Sequence, residues 1–321
     1  ICTSLGGGVA GDGAPMLIHF LHDGDAYLPE LQAYSEFLHA KGHEAQVHRH
    51  VETIPSNPQV LWWMCGQVPT AIAQRFSAAF HIHEYASASV PPMAWLKDRI
   101  KRARQPLPNY RIFQNEWVRQ RMGFDDDLPC EFRDMGIAAG FFKQPPAQDL
   151  PEFDFVYLGE MRRLQHFPHV FEALAELGRR VLLVGEVPVG LKVSFQRDPY
   201  VTVTGRVPYG DVPSQLRRAR HGLNLVPGQS PYIQQTSTKL IEYCAVGLSV
   251  VSTDYQWVRD FERKRDGRFA YIPLRASTAA YRDLLGPAFD AQALKVPDVH
   301  VLAWPRVLSA MKVWHHIGLA L

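Results

Sequence analysis

From Met16 onward the chain alternates short apolar runs with amphipathic stretches, and it does so twice, once on each side of a proline-rich polar segment. In the first half "MLIHFL", "HEAQVHR", "QVLWWMCG" and "AAFHIHEYAS" have the length and composition of strands, and "AYLPELQAYSEFLHAKG" is an amphipathic helix ending at Gly42. The second half restarts at "FDFVYLG" and continues through "PHVFEALAELG", "RRVLLVG", "YVTVTG", "GDVPSQLRRAR", "HGLNLVP", "STKLIEYCAVG" and "LSVVSTD". Strand, helix, strand at this spacing requires a parallel sheet, because parallel neighbours are joined only through a long crossover that covers a face. The predicted fold class is therefore α/β, with two Rossmann-like domains.

A chain of 321 residues exceeds what one ordinary core holds. The polar, proline-rich "KQPPAQDLPEFD" (143–154) is read as the linker. The expected organisation is an N-terminal domain over 1–148, a second over 149–300, and a C-terminal helix over 301–321 packing back across the domains. The opening "ICTSLGGGVAGDGAP" reads as a terminus rather than a phosphate loop, because no strand of useful length precedes it.

Hydrophobic residues at 46% and charged residues at 21% are those of a globular protein, and a net charge of +2 is too small for a general nucleic-acid binder. The basic excess is uneven. Residues 1–150 hold 13 basic and 16 acidic side chains, which leaves 21 and 16 for 151–321. A net +5 in the second half suits an anionic ligand there. Four scattered cysteines with no CxxC pair exclude a disulfide scaffold and a structural zinc, and fit a reducing, cytoplasmic setting.

One short stretch combines the residues of a phosphate site. In "STKLIEYCAVG" a helix starting near Ser237 or Thr238 offers unpaired amides to an anion, and one turn places Lys239 and Glu242 on the same face. That layout holds a phosphate at the helix start and a ribose one turn further in. No GxGxxG follows a first strand, which disfavours a dinucleotide-dependent dehydrogenase.

The segment from Phe153 to Asp254 resembles the donor-binding domain of the GT-B glycosyltransferases, in particular the retaining group 1 family. "VYLGEM", "VLLVG" and "VTVTGRVPYGDVPSQLRRAR" follow that family's strands and glycines, and "TKLIEYCAVGLSVVSTD" is similar to its "KLxEYxAxGxPVVxTD". "FLHAKGHEAQVH" resembles the first helix and second strand of the family's acceptor-side domain. The resemblance implies two domains facing a cleft and a nucleotide-diphosphate sugar, with uridine as the expected base. It implies that Glu242 accepts from the ribose hydroxyls, that Ser237, Thr238 and Lys239 face the pyrophosphate, and that Gly159 closes on it. Gly205 with Arg206 and Val207 lies against the base. Three departures stand out: Gln234 replaces a glutamate eight residues before Glu242, Glu160 replaces an arginine after Gly159, and Ser249 replaces a proline. Arg162 or Arg163 then becomes the phosphate clamp. The serine, threonine and lysine of the loop, with an amide beside them, also resemble bacterial exopolysaccharide glucuronosyltransferases, which invert.

On the acceptor side, "HIHEY" ends a strand, so His83 or Glu84 is expected to project into the cleft, as a general base if the enzyme inverts. Asp23 and Asp25 in "HDGD" are rivals. No metal or other cofactor is expected, since lysine, arginines and helix dipoles neutralise the leaving diphosphate. The acceptor is expected to be a sugar or a lipid-linked hydroxyl in polysaccharide assembly. Residues 97–121 hold eight basic side chains interleaved with aromatics, read as a solvated face or a patch on anionic membrane headgroups rather than a nucleic-acid site. The location expected is then cytoplasmic, at the inner face of the membrane. A sugar-nucleotide epimerase and a non-catalytic nucleotide-sugar-binding subunit are the competing readings.

Overall fold

Both expected parallel sheets form in the computed structural model, which describes residues 14–24, 27–64, 68–89, 92–143, 151–196 and 198–319. The glycine-rich opening up to residue 13, Asp25 and most of the expected linker lie outside the described residues. The chain divides into two compact units: one runs to Asp134 and resumes at Pro305, the other is Met135–Trp304.

The first unit contains β1 (Leu17–Leu21), α1 (Pro29–Ala40), β2 (Glu44–His48), β3 (Val60–Met64), α2 (Thr70–Arg75), β4 (Phe80–Tyr85), α3 (Ala94–Arg104), β5 (Tyr110–Phe113), α4 (Glu116–Met122) and β6 (Cys130–Phe132). Its strand order is β2-β1-β3-β4-β5-β6, parallel throughout. The fifth strand is a correction to the reading of 97–121 as one basic segment. "YRIF" is short and carries a charge, yet Tyr110, Arg111 and Phe113 are all interior. Arg111 tolerates this because Asp126 pairs with it and Phe124 lies 3.9 Å beneath its guanidinium.

The second unit contains α5 (Ala139–Phe142), β7 (Phe153–Leu158), α6 (Pro168–Glu176), β8 (Val181–Val184), α7 (Val189–Gln196), β9 (Val201–Val203), α8 (Val212–Leu216), β10 (Ala219–Asn224), α9 (Thr238–Ala245), β11 (Ser249–Thr253), α10 (Gln256–Lys264), β12 (Ala270–Ile272), α11 (Thr278–Leu285) and α12 (Pro287–Asp290). The order is β12-β11-β10-β7-β8-β9, again parallel. Its core is made by Phe155, Tyr157, Leu183, Leu223 and Val251, which project from four adjacent strands.

The chain ends in two short helices, α13 (Trp304–Ser309) and α14 (Val313–His316), and the residues from Pro305 belong to the first unit. Trp314 reaches the sheet there. Its ring lies 5.7 Å from Trp62, and Trp62 lies 5.1 Å from Phe20 and 4.7 Å from Tyr34. Four large aromatics from β1, β3, α1 and α14 thus fill one face of the sheet, each burying far more area than an aliphatic side chain.

A buried ionic group sits on that same face. Glu84 and Arg133 form a pair with side chains about 1% exposed, and Glu30 at the start of α1 lies 3.5 Å from the same guanidinium. Trp62 Nε1 (2.7 Å) and Tyr34 Oη (3.1 Å) both donate to Glu84 Oε2. Breaking such a group is costly because it strands charge away from water. Arg133→Met should destabilise the first unit by about 3–5 kcal/mol, read from its urea unfolding midpoint. Adding Glu84→Gln should restore part of the loss by removing one stranded carboxylate; a double variant as unstable as the single one would contradict the assignment.

Candidate functional site

In an open parallel sheet, ligands bind beyond the carboxyl ends of the strands, where the strand order reverses. In the second unit that place lies between β7 and β10, the two central strands at which the order turns. It is built from the glycine loop after β7 and the amino end of α9.

Three glycines shape its rim. Gly159 (φ +112°), Gly185 (φ +145°) and Gly205 (φ +74°) follow β7, β8 and β9, and all occupy backbone regions that other residues rarely adopt. A Cβ on Gly185 would lie 2.9 Å from the Gly159 carbonyl, so the first two loops touch through backbone. Gly185 also bridges to Gly205. Glu160, at the position where the resemblance implies an arginine, is structural. Its Oε1 accepts from the Arg162 amide at 3.0 Å and caps the turn Met161–His166.

Helix α9 delivers the charged pair. Leu240, Ile241, Glu242, Tyr243 and Cys244 are buried, and Lys239, one turn before Glu242, faces the loop after β7. The Lys239 ammonium sits 4.0 Å above the Tyr157 ring and would be 3.8 Å from a Cβ on Gly159. Its nitrogen is closed to solvent and has no hydrogen-bond partner among the described residues. Burial and the nearby charge of Arg163 push its pKa well below that of an ordinary lysine, partly offset by Glu242 and Glu160. Glu242 is buried and accepts from Tyr209 Oη at 2.9 Å. Burial raises its pKa to about 7, against the opposing pull of Tyr209 and Lys239.

The remaining expected residues divide. Ser237 precedes α9 but does not cap it; its hydroxyl donates to Asn224 Oδ1 at 2.7 Å. In this arrangement its hydroxyl anchors the loop. Asn224 in turn donates to Ser252 and Tyr255, a buried polar network that fixes the loop after β10. Thr238 is half-buried at the first position of α9, and Gln234 is half-buried in the turn Tyr232–Gln234. Arg162 is exposed, whereas Arg163 stacks 4.5 Å over Tyr232 and bears electrostatically on Lys239. Arg206 is exposed beside Gly205. Tyr209 and Tyr243 belong to the site without any sequence signal. A tyrosine in "VPYGD" or inside a helix does not show that its hydroxyl will meet a particular partner.

His83 and Glu84 are not at a surface. Glu84 is consumed by the Arg133 group described above. His83 is buried between Trp63, Tyr85 and Arg111, and burial with the charges of His81 and Arg111 lowers its pKa to about 3. Both do stand at the end of β4, as the strand pattern implies, but packing on the two faces of the sheet covers them. A general-base assignment for either has no geometric support. The first unit instead has a pocket of about 180 Å³ at its own reversal point, beyond β1 and β3. Asp23, Arg49, His50, Glu52 and Trp63 line it. The Trp63 ring is held by its Nε1 donating to His81 Nδ1 at 3.0 Å.

No protein-family model and no curated protein matches the chain. Solved structures do. A glycosyltransferase from Rickettsia africae superposes with a TM-score of 0.65 at 11% identity, covering 95% of this chain and 99% of that one. AviGT4, a glycosyltransferase involved in avilamycin A biosynthesis, gives 0.62 at 15% identity over 92% and 95%. Anabaena HepE, in complex with UDP and glucose, gives 0.64 at 10% identity over 92% and 94%. The chain has the GT-B fold these glycosyltransferases share.

Two outcomes test the geometry. Tyr243 Oη accepts from the Leu158 amide at 2.9 Å, so Tyr243→Phe strands that amide and should cost about 1–3 kcal/mol, read by thermal unfolding. For Glu242 the folded pKa of about 7 exceeds the usual 4.5, so its proton is held more tightly in the fold. Its contribution is full below about pH 4.5 and is lost as pH rises through 7. Glu242→Gln should therefore flatten the stability profile in that window, by at most about 3 kcal/mol; an unchanged profile would place the carboxyl in water.

Proposed function

We propose that the chain is a glycosyltransferase that moves a sugar from a uridine-diphosphate donor to a hydroxyl acceptor. One observation carries this reading: a buried ammonium, Lys239, aimed at a glycine loop with no hydrogen-bond partner among the described residues, with a buried carboxyl one helical turn further on. An unpaired buried cation is expensive, and an anion arriving beside Gly159 removes that cost. The pair suits a nucleoside diphosphate because its two ends differ in charge.

In this reading the diphosphate lies between Gly159 and the start of α9. The amides of the first turn of α9, which no side chain caps, join Lys239 and Arg163 in holding it. When the bond to the sugar breaks, charge grows on the departing phosphate oxygen, and these donors are already in place. That neutralisation is assigned to the protein and to no metal ion. Glu242 accepts from the ribose hydroxyls, and those hydrogen bonds favour its ionised form and draw its pKa down from about 7. Gln234 replaces a carboxylate with an amide near the donor sugar, which supplies a donor as well as an acceptor. Uridine is taken from HepE, crystallised with UDP.

The acceptor's seat is proposed to be the pocket of the first unit. Asp23 and Glu52 offer hydroxyl-accepting oxygens, and Trp63 gives an apolar floor for a sugar ring. Asp23 takes the role of proton acceptor that the buried His83 and Glu84 cannot fill. Hexose transfer, polysaccharide assembly and work on the cytoplasmic side of a membrane belong to the same proposal. Among the described residues no helix is long and apolar enough to cross a membrane.

Calorimetric titration of UDP, GDP and ADP tests the donor site. UDP should bind selectively, and Lys239→Ala and Glu242→Ala should each weaken it tenfold or more, about 1.4 kcal/mol. Absence of nucleotide binding, or variants that bind like the parent chain, would leave α9 as ordinary structure.

A further inference from the structure

The rim of the first unit's pocket is tied to a buried pair of histidines. His19 on β1 and His48 at the end of β2 are 3% and 2% exposed, and His19 Nδ1 lies 3.0 Å from His48 Nε2. His48 Nδ1 lies 2.7 Å from Thr53 Oγ1, and the Thr53 hydroxyl donates to the His50 carbonyl at 2.7 Å. That last bond fixes the direction of the chain, because a carbonyl only accepts. Thr53 Oγ1 is then the acceptor for His48 Nδ1–H, which leaves His48 Nε2 as a lone pair that accepts from His19 Nδ1–H. His48 is thereby neutral, and both rings carry a proton on Nδ1. The residues between His48 and Thr53 are Arg49, His50, Val51 and Glu52, and all four line the pocket. The turn they form is closed by two backbone bonds of 3.2 Å, from the Thr53 and Ile54 amides.

We propose that His19, His48 and Thr53 form an acid-released latch on this rim, which holds residues 49–53 in place while both rings are neutral and lets them go when the pair takes up a proton. A proton on His48 Nε2 would set two N–H groups against each other across 3.0 Å. A proton on His19 would leave a buried cation with no carboxylate beside it. Burial, and then His48, hold the His19 pKa below the ordinary 6.5, and burial alone does so for His48. The fold therefore favours neutral rings: the latch is fully closed above about pH 6.5 and is lost as pH falls below it. The other titratable and charged groups of the surrounding elements are directed elsewhere. Glu36 and His39 of α1, Glu44 of β2 and Arg75 of α2 are exposed, and Glu30 of α1 is turned to Arg133. Asp23 and the rim's own Arg49, His50 and Glu52 are exposed as well, and Arg49 donates to the Gly24 carbonyl. His22 is buried, with its amide on the His48 carbonyl. His81 and His83 share this sheet face, but their rings bond to Trp63, Phe76 and Tyr85 and not to the rim. The latch acts on the pocket whatever fills it, and does not rest on the nucleotide site of the other unit.

NMR of the full chain labelled with 15N-histidine, together with amide exchange, tests this. At pH 8 His19 and His48 should both show the Nδ1–H tautomer. Protection of the Thr53 and Ile54 amides, corrected for intrinsic exchange, should fall about tenfold or more between pH 8 and pH 5. The Leu61 and Trp62 amides of β3 should keep theirs. Thr53→Val, at an exposed position, removes the hydroxyl without removing a titratable group. Its rim amides should be poorly protected already at pH 8 and show no further loss in acid. Thr53→Ser keeps the hydroxyl and should keep the parent's profile. An Nε2–H tautomer on either ring at pH 8, or rim protection unchanged at pH 5, overturns the proposal. So does an equal loss of protection in β3, or a Thr53→Val profile like the parent's. UDP titration of the same samples at pH 8 reports on Lys239 and Glu242 separately, so a failure there is distinguishable from a failure here.

Discussion

The phenol of Tyr243 holds the second unit's site together. Its ring stands where Gly222 has no side chain; a Cβ there would come within 2.3 Å of it. Its hydroxyl accepts from the amide of Leu158, the last residue of β7, and donates to the Leu223 carbonyl at 3.3 Å. One side chain therefore fixes α9 against β10 and against the end of β7. The distance from Lys239 to Gly159 follows from that contact. A helix free to slide by a fraction of a turn would carry the ammonium away from the loop, and Glu242 away from Tyr209. Positioning of this kind, by rigid packing behind the charged groups, is what a binding site needs from its scaffold.

The two units treat buried charge in opposite ways. In the first, Glu84 accepts from Arg133, Trp62 and Tyr34, so its oxygens are satisfied within the protein. Nothing about it invites a ligand. In the second, the Lys239 nitrogen is sealed from water and, among the described residues, has no hydrogen-bond partner, with the face of Tyr157 and the charges of Glu242 and Glu160 as compensation. Both residues are ionisable, interior and near the carboxyl edge of a parallel sheet. The presence or absence of hydrogen-bond partners distinguishes the two. By the same criterion the Ser237 hydroxyl, which donates to Asn224, is satisfied within the protein.

Much of this is legible in the residues. Alternating apolar and amphipathic runs require parallel sheets, since no other arrangement joins such segments, and both sheets form. Lys239 and Glu242 are readable because a three-residue spacing on a helix fixes a shared face, whatever packs around it. Legibility ends where patterns shorten. β5 and β12 have four and three residues, too few for a period to show, and β5 hides its burial behind Arg111. In α3 the residues display the charges but not their direction, and the residue it buries is Asp98. Period alone cannot say which side of a helix faces inward when the inward side is polar.

Local chemistry is written in the amino acids themselves: which segments become strands, which glycines end them, and which charged residues lie one turn apart. These depend on short-range geometry, fixed by a few neighbouring residues. What each charge meets is settled only when the chain packs. Residues 49 positions apart join Glu84 to Arg133, and 85 positions separate the Leu158 amide from the Tyr243 hydroxyl that receives it. No local pattern encodes such partners. Burial and hydrogen bonding are properties of the packed chain; they leave the Lys239 nitrogen without a hydrogen-bond partner among the described residues and pack His83 into a core.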